Sequence, residues 1–174
     1  MGPATLPPTP ESPIVRSMGM VSFWVPVSVS EAQALVEGDL DPWDLLEDER
    51  CIDVDKAWHG IHACLTGGID EVDTVLGQVV MGGTEFGEDG GYGPPRLVSA
   101  DQVRAASAAL DELGPGGFAE QLDLAELTRL GAYPGVWDED EDELRAWLGD
   151  GFDLLAATFR QAAAQGDAVL VLLS

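Results

Sequence analysis

The sequence predicts an α+β fold, a single helix-rich domain with a small mixed or antiparallel sheet that includes the first and last strands. Three observations lead to this. Segments with helical periodicity and capping signals outnumber β-rich segments. The clearest strands, "MVSFWVPVSV" and "DAVLVLL", lie at opposite ends of the chain and read as natural neighbours. A chain of 174 residues that is 45% apolar suits one domain with a substantial core and argues against disorder.

The elements follow in order. Residues 1–17 are rich in Pro, Thr and Ser and read as an extended leader, with the domain itself at 18–174. The first strand carries Pro26, which cannot donate to a ladder and so belongs at an edge or a strand end. "SEAQALVEG" predicts a helix opened by a Ser30–Gln33 capping box and stopped by Gly38. "DPWDLLEDE" reads as a short helix with Pro42 in its first turn. A third helix carries "DKAWHGIHACL", with Asp53 as N-cap and Gly67-Gly68 as its end. "GQVVMGG" reads as a short strand and "RLV" as a brief extended segment. Ser99 and Gln102 form a second capping box, with Val98 and Val103 as its staple, ahead of "ADQVRAASAALDEL". "DLAELTRLG" is a further helix. "WDEDEDELRAWLGD" and "DLLAATFRQAAAQG" are read as two more, the first with an acidic opening turn that suits the helix dipole.

Charge excludes several functions. Eight Lys+Arg against 32 Asp+Glu leave a net charge of −24. Phosphate contacts need clustered Lys and Arg, so nucleic acid is not an expected ligand. An anionic membrane surface would be repelled, and "AVLVLL" is too short to span a bilayer. A basic protein partner or a cation would be attracted. Two cysteines do not make a disulfide scaffold, and no signal peptide is visible, so a cytoplasmic setting is expected.

The stretch "DKAWHGIHACL" holds both histidines, the only lysine and one of the two cysteines. On a helix at about 100° per residue with Trp58 at zero, Val54, Ile61 and Leu65 fall at ~320°, ~300° and ~340°. This is a core stripe. Asp55, His62 and His59 fall at ~60°, ~40° and ~100° and form a polar line beside it. Cys64, at ~240°, points away from both histidines. Geometry therefore forbids a zinc site built from Cys64 and the two histidines, and with Cys51 there are still only three ligands. Neither a metal nor a cofactor is implied. A carboxylate one turn before a histidine can fix its tautomer and make it a candidate general base. The same pair on a helix surface is worth only tenths of a kcal/mol. Lys56, at ~160°, points away from the stripe and is expected to be exposed.

Two further stretches carry polar residues. "FGEDGGYGPPR" holds four glycines with Glu88, Asp89, Tyr92 and Arg96. It lacks GK[ST], and its carboxylates would repel phosphate. It is either a binding loop or an ordered connection. In "YPGVWDEDEDE" the spacing of Asp138, Asp140 and Asp142 matches the start of a calcium loop, but Glu143 stands where a glycine is required. Tyr133, Pro134 and Trp137 read as packing at the start of a helix.

Four stretches together resemble the YfbM-like family of bacterial domains of unknown function. They are "MGM" at 18–20, "DVDKAWHGIHACLTGG" at 53–68, "GEDGGYGPPRLVSADQV" at 87–103, and "YPGVWDEDED" at 133–142 with "GDAVLVLL" at 166–173. The resemblance runs from about Met18 to the C-terminus and excludes the Pro-rich leader. It implies an α+β domain in a bacterial cytoplasm and no assigned activity. Two functional readings stand beside it. One is an acidic binding module for a protein partner, a basic one by charge. The other is a small-molecule-binding protein or enzyme whose pocket combines Asp55, His59, His62, Glu88, Asp89, Tyr92 and Arg96.

Overall fold

The computed structural model describes residues 19–174; the leader at 1–17 lies outside the described residues. β1 (Ser22–Val27) leads into α1 (Val29–Glu37), a 3₁₀ helix at Pro42–Glu47 capped by Asp41, and β2 (Ile52–Asp53). A 3₁₀ turn at Asp55–Ala57 opens α2 (Trp58–Thr66), and a second 3₁₀ turn lies at Leu76–Gln78. β3 (Thr84–Glu85) and β4 (Arg96–Val98) precede α3 (Ala100–Gln121), α4 (Leu124–Leu130), α5 (Glu141–Gln165) and β5 (Ala168–Leu173). Among the described residues no helix is long and apolar enough to cross a membrane.

The strands form one antiparallel sheet in the order β2-β1-β5-β4-β3. The first and last strands pair over their whole length, from Ser22 opposite Leu173 to Val27 opposite Ala168. Alternation along them builds two cores. Trp24, Val169 and Val171 face α2, α3 and α5, while Val25, Val27, Leu170 and Leu172 face α1 and the 3₁₀ helix of Trp43 and Leu45. β2 covers only Phe23 and Trp24, so β1 is locally an edge strand at Pro26, as the missing N–H requires.

The structure corrects the sequence-based expectations in several places. α1 starts two residues earlier, with a Ser28–Glu31 capping box in place of Ser30–Gln33. Glu31 closes back on the Ser28 N–H at 2.8 Å and also receives Arg50 at 2.9 Å, a tertiary contact that selects this box. "GQVVMGG" is not a strand. Its apolar Val79 and Val80 are fully buried in irregular chain, where the Val79 carbonyl accepts from Trp24 Nε1 at 2.8 Å and the Gln78 side chain accepts from Gly83 N–H. Strand pairing resumes only at β3. The helix expected from Asp53 onward begins at Trp58, because Asp53 accepts from the Asp55 N–H at 2.9 Å and holds a turn there. The run Ala100–Gln121 turns at Gly114 (φ +63), which leaves the expected Ser99-capped helix as its first part.

The two expected C-terminal helices are one, passing without a break through Gly149-Asp150-Gly151. Gly151 is where α5 crosses α2: a Cβ there would lie 2.7 Å from Ile61 Cδ1 and 3.4 Å from Val54 Cβ. Gly149 has nothing within 4 Å of that position. The pair gives opposite outcomes in chemical denaturation. Gly149→Ala is expected to stabilise by about 0.5–1 kcal/mol through helix propensity. Gly151→Ala is expected to destabilise by about 1–3 kcal/mol through overpacking. Equal effects of the two would show that the crossing is not tight.

Candidate functional site

Asp55 is the sole described residue other than glycine with positive φ, at +51. That conformation is uncommon for a residue with a Cβ, and it turns the chain so that α2 enters with Trp58 inward. Trp58 Nε1 donates to the Met20 carbonyl at 2.9 Å, and its ring stacks on His59 with centroids 4.8 Å apart. The core stripe of Val54, Trp58, Ile61 and Leu65 is buried as the periodicity requires.

His59 is held at both nitrogens by backbone. The Tyr133 N–H donates to Nδ1 at 2.9 Å, and Nε2 lies 3.1 Å from the Ile69 carbonyl. A backbone N–H can only donate, so Nδ1 is the acceptor and Nε2 carries the proton that Ile69 receives. This neutral tautomer leaves no nitrogen for base chemistry. The ring ties α2 to the segment 67–83 and to the turn at Tyr133. No hydrogen bond or ion pair joins Asp55 to His59 among the described residues, and His59 is oriented by the Tyr133 and Ile69 backbone instead.

His62, one turn on, is fully buried, and neither ring nitrogen has a hydrogen-bond partner. Burial pushes its imidazole down to about 4, and His59 and Arg96 push the same way. Asp70 and the Glu71 backbone oppose this without reaching hydrogen-bond geometry. Arg96 stands on β4 on the same face as the buried Val98, opposite to Leu97, and so points toward the α2 side of the sheet. Its guanidinium donates to the Gly82 and Val80 carbonyls, both at 3.4 Å, and has no ion-paired carboxylate among the described residues. Burial lowers its pKa, with Glu85 opposing.

The Gly-rich loop is ordered from within. Asp89 accepts from Gly91 N–H at 2.7 Å and Gly93 N–H at 3.0 Å, which holds its carboxyl below the usual range. Gly90 lies so close to the Trp43 indole that a Cβ would overlap the ring. Glu88 is exposed at the tip and Tyr92 is 53% exposed. Tyr133 packs against Trp58 of α2, with ring centroids 5.8 Å apart. Burial pushes its phenol up, the Met20 backbone opposes, and Asp55 and Tyr92 add to the rise. A Cβ on Gly19 would overlap the Tyr133 hydroxyl and lie 2.7 Å from Lys56 Cε, so both side chains close on the chain there. Lys56, expected to be exposed, is half-buried.

Of the residues singled out in the sequence, Asp55 and Tyr92 both act electrostatically on Tyr133, while His59 and Arg96 bond to carbonyls of the segment 67–83 and Arg96 acts electrostatically on His62. Glu88 and Asp89 are not drawn into either group. Tyr133 and Lys56 join the first group through tertiary contact, which no local pattern announces. Cys64 faces the other way, into a groove of about 330 Å³ lined by Leu65, Asp123, Leu127 and Leu130, and burial pushes its thiol up to about 12.

The model of a family described as "Domain of unknown function (DUF1877)" matches residues 18–172. The chain belongs to the DUF1877 family. A curated relative, Protein YfbM of Escherichia coli (strain K12), is 27% identical over 166 residues, covering 90% of this chain and 99% of that protein. The crystal structure of YfbM, titled a protein of unknown function, superposes with a TM-score of 0.71 at 22% identity, covering 88% of this chain and 99% of that one. DUF1877 membership thus establishes family and fold and assigns no activity.

The two unpaired nitrogens of His62 set a pH dependence. Its pKa is lowered on folding from 6.5 to about 4, so the unfolded chain binds the proton first. The resulting penalty is absent above pH 6.5, grows as pH falls, and is complete near pH 4, at about 3 kcal/mol. His62→Leu is expected to remove this component and to stabilise the protein at pH 7 by about 1–3 kcal/mol, since two unsatisfied polar atoms are replaced by apolar ones. Urea denaturation of both proteins at pH 4.5 and 7.5 checks this; a variant less stable than the parent at both values would contradict it.

Proposed function

We propose that this DUF1877 protein is an acidic binding module, acting in a bacterial cytoplasm, that recognises a basic protein partner. The observation that carries the reading is how the arginines are paired. Arg50 pairs with Glu31 and Asp48 at 2.9 Å, Arg145 with Glu141 at 2.8 Å, and Arg104, Arg129 and Arg160 with Asp101, Glu126 and Asp111. Each pair is partly exposed and adds little stability. Together they cancel the positive charge of these five arginines beside its source. The surplus carboxylates then set the field, which steers a positively charged partner and raises its association rate. The exposed run Asp138–Glu143 is the densest part of that surplus. Within it Asp140 caps α5 and Glu141 holds Arg145, which leaves Asp138 and Glu139 outside the helix and Asp142 and Glu143 with only a small contribution to the helix dipole.

The test follows from that division. Tagged protein is used to capture partners from its host at about 50 mM and about 500 mM salt, beside a variant with Asp138→Asn, Glu139→Gln, Asp142→Asn and Glu143→Gln. A basic partner retained at low salt, released at high salt and weakened about tenfold by the variant is the expected result. Retention that ignores both salt and the variant would refute the reading.

A second reading is favoured by a different observation, the aromatic cluster of Trp58 with His59 and Tyr133, on which Asp55 and Tyr92 act electrostatically through the Tyr133 phenol. A mixed polar and aromatic wall of this kind suits a small polar molecule. Its candidate side chains are Asp55, Tyr92 and Tyr133, with His59 as the staple that positions Tyr133.

A further inference from the structure

Arg96 is the exception to the rule by which this molecule treats its arginines. The other described arginines each find a carboxylate in a chain that carries 32 of them against eight cations. Arg96 is half-buried, and its donors reach only two carbonyls, at 3.4 Å, the long end of the hydrogen-bond range. His62 of α2 lies near enough for Arg96 to act on its ring electrostatically, and it is fully buried with both ring nitrogens unpaired among the described residues. Buried polar atoms without partners are rare, and they call for an explanation. Strand alternation explains the placement: β4 turns Leu97 to one core and Arg96 to the other, where α2 brings His62. The segment 67–83 closes over both, supplying the Val80 and Gly82 carbonyls to Arg96 and the Asp70 carboxylate near His62.

We propose that Arg96 and His62 form a sheltered receptor for a small carboxylate-bearing molecule. One carboxylate oxygen accepts from the Arg96 guanidinium and the other from the N–H of the His62 ring. A guanidinium is suited to a carboxylate by shape as well as charge. An external anion is otherwise repelled by a protein of this charge, so the one described arginine with no ion-paired carboxylate, which Glu85 neighbours only from across the strand pair, is the place where such a ligand gains most. Asp70, on the same segment, disfavours a second negative charge and limits the ligand to a monoanion. This inference extends the small-molecule reading above to a ligand class and stands apart from the partner reading.

Formate is the probe, titrated into the intact protein at constant ionic strength against sodium chloride. The observables are the His62 ring nitrogens and the Arg96 Nε–H signal by NMR. Saturable shifts of both are expected with formate, with half-saturation on the order of a millimolar or weaker for so small a ligand. His62→Leu keeps the fold and is expected to weaken formate about tenfold; Arg96→Lys, which retains charge and loses the fork, is expected to weaken it by a similar factor. No saturable shift with formate, an equal response to chloride, or undiminished binding by both variants overturns the proposal. Shifts at Tyr92 and Tyr133 with none at His62 or Arg96 overturn it too, while leaving the small-molecule reading intact.

Discussion

The pairing of β1 with β5 is the constraint from which the rest follows. Six residues at the start of the described chain lie in register against six at its end. The single sheet position so defined separates the two cores, because consecutive residues of β5 face opposite sides: Val169 and Val171 to the long helices, Leu170 and Leu172 to α1. A slip of one residue would send Trp24 to the wrong core and remove its bond to the Val79 carbonyl. With that bond would go the anchor of the segment 67–83, which covers His62 and reaches Arg96. The candidate sites are therefore downstream of a strand register closed by residues almost the full length of the chain apart.

Much of the fold was legible in the sequence where the determinant is local. The Ser99–Gln102 box, the Gly38 and Gly166 stops and the stripe on α2 are each set within a turn or two of chain. What escaped was set from afar. Ser28 and Ser30 are equivalent candidates by pattern, and Arg50, 19 residues beyond Glu31, decides between them. Val79 and Val80 look like a strand because they are apolar and β-branched, yet their backbone lies in a segment held by the side chains of Trp24 and Gln78. Gly149 and Gly151 look like a helix break, but one is merely tolerated and the other is required by Ile61. In the site, a helix wheel placed His62 beside the core but could not foresee the segment that seals it in. It also had no means of bringing Tyr133 to His59 across 74 residues.

The two histidines, less than one turn apart, show how differently one side chain can be used. His59 engages backbone through both nitrogens and acts as a fixed strut between three segments. His62 has no hydrogen-bond partner at either nitrogen among the described residues. The first is a structural commitment that the fold needs in the neutral form. The second is a standing cost to stability, and natural proteins retain such costs chiefly where a polar group serves something besides folding. Arg96, without an ion-paired carboxylate among the described residues of a chain rich in them, belongs with His62 in this respect.

Pro26 has a wider consequence than ending a hydrogen-bond ladder. β1 reads SFWVPV, a strongly apolar strand whose outer edge is covered by only two residues of β2. An open edge of this composition is a template on which a second chain can add and continue the sheet into an aggregate. A proline at the uncovered end withdraws one donor from that template and blocks its propagation. The residue that interrupts the ladder of the first strand thus also guards its unpaired edge.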